Sequence, residues 1–285
     1  MNTRWHNLAP GIIAASSFGT TDVLSKMVLT AGADVLTMAL ARGVVGLALV
    51  FLWLQLDPPS TRFDKRARRI GLGLGVLFAG IVYGVFKAVE LVPVPVAILA
   101  YFTYPVLTGI AGAVFGIERL GWRGASAAVV AFVGLALMIG AEPKGLVVLG
   151  LLSAFGATCC RVAVLLVARL ELQGADARLT TWYSLVSSTI LFAGVALLTL
   201  NWQPPQSFVG WAALLGVSIG TSIATLTIFI STGRIGPFRT ALIMNLEPLL
   251  ATILSAPLLG EIITPLQALG GALMLGALVA FQLRQ

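Results

Sequence analysis

Six ionisable side chains stand inside otherwise apolar stretches of this chain: Asp22, Lys26, Arg42, Lys87, Arg161 and Glu247. A charge held in hydrocarbon costs at least about 2.5 kcal/mol, so such residues mark function by default. Asp22 and Lys26 are four residues apart and share one face of a helix, where they can pair. With Arg42 and Lys87 at similar depth, they read either as a gate or substrate contact, or as a salt-bridge cluster with both lysines snorkelling. Arg161 and Glu247 form a second pair. They can neutralise each other or meet the carboxylate and ammonium of a zwitterion; the plainer alternative has Arg161 snorkelling and Glu247 packed on a helix terminus. Pro105 and Pro248 each remove an amide donor inside an apolar stretch and free the carbonyl four residues earlier, at Tyr101 and Met244, which predicts paired hinges or cavity breaks. Tyr83 shares a helix face with Lys87, and Tyr101 with Tyr104. Rings with polar tips suit the cavity of an amphipathic solute, although membrane aromatics also simply pack.

The elements that must position these residues follow from composition. Of 285 residues, 58% are hydrophobic and 10% charged, against about a quarter charged in a soluble domain. That excludes a soluble enzyme, a disordered chain and a disulfide scaffold, and the adjacent Cys159 and Cys160 cannot form a secreted framework. The net charge of +7 falls between apolar runs, which is a membrane pattern and not a nucleic-acid footprint. Ten apolar segments of spanning length are predicted near Leu8–Leu29, Val35–Leu56, Ile70–Leu91, Val94–Phe115, Trp122–Ile139, Gly145–Ala168, Leu179–Leu200, Phe208–Ile230, Phe238–Leu259 and Pro265–Leu283. Unbroken apolar runs are not the alternation of a transmembrane barrel. The first run continues past any signal-peptide core and is expected to stay as helix one.

Ten spans put both termini and the even-numbered loops on one side. That side holds Arg4, Arg62, Lys65, Arg66, Arg68, Arg69, Arg119, Arg123, Arg169, Arg178, Arg234, Arg239 and Arg284; the other has Lys144, with Lys26 and Lys87 near helix ends. Both termini are therefore predicted in the cytoplasm. On this scale Asp22 lies roughly 21 Å from the cytoplasmic start of its span, in the outer half, and Arg161 and Glu247 lie in the inner half. Trp5, Trp53, Trp122, Trp202 and Trp211 fall near span ends as interfacial anchors.

The halves repeat. One interval, close to half the chain, separates Pro105 from Pro248 and Glu118 from Glu261; Leu36-Thr37 and Leu179-Thr180 share it, and Ser17-Phe18-Gly19 resembles Ala154-Phe155-Gly156. Residues 1–143 and 144–285 thus read as two five-span halves of one membrane domain. Five is odd, so the second half enters from the opposite side, the inverted arrangement of many secondary transporters.

The five-plus-five layout, the proline-bearing fourth and ninth spans, the trailing Glu118 and Gly260-Glu261, and the stretch Ala241–Gly276 with Asn245-Leu246-Glu247-Pro248 and Gly270-Gly271 resemble the EamA branch of the drug/metabolite transporter superfamily, and within it the YddG-type amino-acid exporters. The resemblance implies ten helices around a central cavity, with helices five and ten outside the main route.

No credible catalytic constellation accompanies these features. Gly216-Val217-Ser218-Ile219-Gly220 matches a nucleophile elbow, but it lies within an apolar run and the chain's one histidine is His6 in the amino tail. There is no P-loop or metal-ligand spacing, and no metal or other cofactor is expected. The reading that results is a secondary transporter, not an enzyme, exporting amino acids or related small polar metabolites across a bacterial inner membrane. Its partners are the small-molecule substrate and the lipid bilayer, and not nucleic acid. Transport of another metabolite or a drug-like cation is the alternative, ahead of an intramembrane enzyme or a lipid-handling scaffold.

Overall fold

The computed structural model describes residues 2–59, 64–140, 147–200, 202–260 and 262–283, with backbone alone for residues 2–5 and 282–283. Arg62, Lys144, Glu261 and Arg284, the side chains of Arg4 and Trp5, and the junction at 143/144 lie outside the described residues. Within them the chain is helical throughout: α1 (Asn2–Thr30), α2 (Val35–Leu56), α3 (Lys65–Leu91), α4 (Val94–Tyr101), α5 (Tyr104–Val114), α6 (Trp122–Ile139), α7 (Val148–Glu171), α8 (Ala177–Thr199), α9 (Phe208–Ile235), α10 (Pro237–Ile243), α11 (Leu246–Leu259) and α12 (Pro265–Leu283). These make ten membrane segments, because α4–α5 and α10–α11 are each one segment interrupted once. Nine are long and apolar enough to cross a membrane; the tenth, Pro265–Phe281, is shorter.

Local chemistry sets the boundaries. Asp34, Asp64, Asp176 and Ser207 cap α2, α3, α8 and α9 by accepting the amides of Thr37, Ala67, Arg178 and Gly210. Gly140 and Gly260 end α6 and α11 in the left-handed region, at φ +63° and +70°, where a Cβ is disfavoured. In the interior, small residues let backbones close in, the usual device where lipid offers no hydrophobic drive. A Cβ at Gly75 would lie 2.0 Å from the Ser184 carbonyl oxygen, and one at Gly84 would lie 2.7 Å from that of Ser153. These two glycines seat α3 on α8 and α7.

The repeat is kept in register by the fold. The interval from Pro105 to Pro248 also separates the start of α3 at Lys65 from that of α9 at Phe208; it separates α4 at Val94 from α10 at Pro237, and α6 at Trp122 from α12 at Pro265. Packing obeys the same exchange: α1 lies on α9 as α7 lies on α3, α2 on α9 as α8 on α3, while α6 pairs with α12 and α2 with α8 across the pseudo-twofold. The likeness of Phe18-Gly19 to Phe155-Gly156 spans a shorter interval and is out of this register. Phe155 faces outward, 52% exposed, and the residue that answers to Phe18 is Arg161.

Candidate functional site

Both interrupted segments break beside the cavity. α4 gives way to α5 through Phe102 and Thr103, and α10 to α11 through Met244 and Asn245; each break is a single tightened turn, with Thr103 and Asn245 donating three residues back to Ala100 and Leu242. Pro105 and Pro248 follow within the first turn of the resumed helix, where a missing amide costs little. The carbonyl that Pro105 frees, that of Tyr101, accepts the Thr158 hydroxyl from α7 at 3.0 Å; the Ala100 and Ala154 carbonyls lie at 3.2 and 3.1 Å from the same hydroxyl. The Met244 carbonyl is met locally, by the Glu247 amide at 3.0 Å.

Arg161 is the centre of the arrangement. It projects from α7 at 3% exposure, with its guanidinium carbon 5.4 Å from the Phe18 ring centroid and 5.5 Å from that of Tyr104. Tyr101, Phe102 and Tyr104 form an aromatic cluster with centroids 5.4–5.6 Å apart. Desolvated cation–π contacts of this kind contribute about 2 kcal/mol each, which offsets part of the cost of burying the cation. Among the described residues, Arg161 Nε is buried without a geometric hydrogen-bond partner, as are the hydroxyls of Tyr104 and, outside the lining of this cavity, Thr189. A buried polar atom without a partner costs about 1–3 kcal/mol, so Arg161, which also lines the central cavity, calls for an occupant there.

Glu247 stands in the first turn of α11, where the helix dipole favours a carboxylate. It shares with Arg161 a cavity of about 130 Å³ that Phe18, Tyr101 and Arg42 also line. The two charges are within electrostatic reach, yet they do not close to an ion pair. In the register of the repeat, Arg161 answers to Phe18 and Glu247 to Tyr104. The site therefore straddles the pseudo-twofold, with Phe18, Arg42 and Tyr101 from the first half and Arg161 and Glu247 from the second.

The remaining sequence-predicted residues divide. Arg42 faces this cavity and does not stay with the Asp22–Lys26 group. Asp22 is exposed and within electrostatic reach of Glu247; Lys26 is exposed at the far end of α1. Lys87 pairs with Glu90 at 3.0 Å on its own helix, and Tyr83 points outward at 69% exposure, so neither joins the cavity. Sequence reasoning missed the hydroxyl wall: Ser184 and Ser188 of α8, with Thr221 and Thr225 of α9, line the same space. Each pair is spaced i,i+4, the signal of one helix face.

The basic end of the bundle is held by charge. Arg66 pairs with Glu171, joining α3 to α7. Arg178 bonds Asp57 at 2.7 Å and Asp176 at 2.8 Å and lies over Trp53, joining α8 to α2. Burial pushes the Asp176 carboxyl up, but the hydrogen bonds and charge of Arg178 outweigh it and hold that group below the usual carboxylate range. Glu118 reaches across the halves to accept the Phe238 amide at 2.8 Å, capping α10. Gly236, at φ +89°, is required there, since a Cβ would lie 1.6 Å from the Glu118 carboxylate. Burial pushes the Glu118 carboxyl up, against that amide and the pull of Arg169 and Arg239.

With this geometry in place, the comparisons with known proteins agree on its architecture. A solved crystal structure superposes on 97% of this chain and 96% of its own with a TM-score of 0.82, at 20% sequence identity, a likeness of fold alone. No curated protein matches the sequence. The model of the EamA-like transporter family matches twice, over residues 8–140 and 148–281, once for each half. This chain belongs to the EamA-like transporter family.

Proposed function

We propose that this protein is a secondary exporter of small zwitterionic metabolites, amino acids first among them, working across a bacterial cytoplasmic membrane as the YddG-type exporters it resembles do. The observation that carries the reading is Arg161: a buried guanidinium with a free Nε, sharing a small cavity with a carboxylate to which it is not ion-paired. A substrate carboxylate would take the guanidinium, and its ammonium would lie toward Glu247. Tyr101 and Phe18, which line the same cavity, would cover the carbon skeleton, and Tyr104 would hold the guanidinium in place from behind. Alternating exposure would follow from the two halves trading shapes about the breaks at Pro105 and Pro248. Two arginines on a cavity of about 130 Å³ disfavour a drug-like cation, on charge and on size.

Counterflow into proteoliposomes with a labelled amino-acid panel tests this reading. Amino acids are expected to exchange, and analogues lacking either the amine or the carboxylate are expected to compete poorly. Tyr104→Phe removes a buried hydroxyl from the ring that lies over the Arg161 guanidinium, so flux should fall while the protein stays folded. Uptake confined to organic cations, or full flux in a folded Tyr104→Phe protein, would overturn the assignment.

A further inference from the structure

A second concave feature lies away from the central cavity. α6 and α12 cross where Gly134 and Gly270 bring their backbones together; a Cβ at Gly270 would sit 2.4 Å from the Gly134 carbonyl oxygen. Between that crossing and the basic end runs a groove of about 1150 Å³. Its floor includes Phe238 and Phe281, packed edge to face at 5.8 Å. Its walls are apolar and exposed, with Val130 at 41%, Leu269 at 54% and Leu273 at 37%. Its rim carries Arg119, Arg123 and Arg239, none of which forms an ion pair among the described residues. The one acidic side chain there, Glu118, is already committed to the Phe238 amide. An apolar trough whose rim sets three arginines against one carboxylate matches an amphiphile with an anionic head and a long apolar tail.

We propose that this groove binds one anionic glycerophospholipid of the cytoplasmic leaflet, its phosphate on Arg119, Arg123 and Arg239 and its acyl chains along Val130, Leu269 and Leu273. Basic pockets between helices at the cytoplasmic face suit such headgroups. A zwitterionic lipid would bring an ammonium to the same arginines. A second copy of this chain, docked face to face, would set these arginines against their own counterparts. A free phosphate would leave the trough unfilled.

The test is native mass spectrometry with a parallel melting curve on the delipidated protein in neutral detergent, titrated with phosphatidylglycerol, phosphatidylcholine or glycerol phosphate. Phosphatidylglycerol is expected to be retained and to raise the melting temperature, and phosphatidylcholine to bind more weakly. Arg123→Ala/Arg239→Ala should weaken phosphatidylglycerol binding by about tenfold or more, while Arg123→Lys/Arg239→Lys keeps most of it. Ala272→Trp fills the trough from an exposed position with the arginines intact, and should also lose the lipid. Equal retention of both lipids, retention in both the Ala and Trp variants, displacement by glycerol phosphate, or a dimer closing over this face would each overturn the proposal. Because binding is read without flux, the result stands apart from the fate of the substrate assignment.

Discussion

Glu247→Gln and Arg161→Met, made singly, are each expected to abolish most transport and to lower the melting temperature, whereas the double change recovers stability without flux. Arg161 is 3% exposed and shares the cavity with Glu247. Taking away either charge leaves the other without its counterweight in a poorly solvated place. Directly paired buried charges lose about 3–5 kcal/mol when one partner goes. Here the two are not in ion-pair contact, and a coupling of about 1–3 kcal/mol is the expected scale. The two rings over the guanidinium keep Arg161 from being wholly dependent on the carboxylate. A double-mutant cycle read on both melting temperature and flux checks this. Additive effects in both would mean that the residues do not interact.

Gly19→Ala is expected to cost about 1–3 kcal/mol, as overpacking does, and to cut transport with it. A Cβ at Gly19 would stand 2.7 Å from the Glu247 carbonyl oxygen and 3.1 Å from the Leu250 Cβ. The neighbour it meets is backbone, so α11 itself must move, and its first turn carries Glu247. Gly156→Ala is the matched control, because a Cβ there meets nothing within 4 Å and alanine favours a helix by about 1 kcal/mol over glycine. Melting curves on the purified pair separate the two. A Gly19→Ala protein as stable and active as the parent would show that the close approach does not position Glu247.

Much of this is legible in the sequence, for reasons of physics. Spans declare themselves because hydrocarbon demands long apolar runs, and the interval from Pro105 to Pro248 is the one that separates the starts of α3 and α9. Arg161 and Glu247 stand out by the cost of charge. What stays hidden is which face of each helix turns inward. Tyr83 and Lys87 are polar enough to suit a cavity, but α3 packs on α7 and α8 through Gly75 and Gly84, which leaves Tyr83 outside. The hydroxyls of Ser188 and Thr225 are too common in membrane helices to announce a wall. Arg42 sits close in depth to Asp22, and depth alone does not say which neighbour a residue meets. The short Phe-Gly likeness misleads because two residues can match by chance where a register cannot.

The Thr158 hydroxyl that reaches the Tyr101 carbonyl has a consequence for where the molecule is soft. The repeat partner of Thr158 in the first half is Ala15, fully buried and with nothing to donate. The first-half break is thus hydrogen-bonded to the opposite half, while among the described residues the hydrogen bonds of the second-half break stay within its own turn, and α1 meets it by packing alone. Two copies of one design are therefore expected to differ in stiffness, with the more compliant joint the one that carries Glu247. Any exchange of shape between the halves should begin there, so that turnover rate is set in α10–α11. Hydrogen exchange reads this difference directly: the Met244–Glu247 amides should open more readily than those of Phe102 and Thr103, and equal protection at the two breaks would remove the asymmetry.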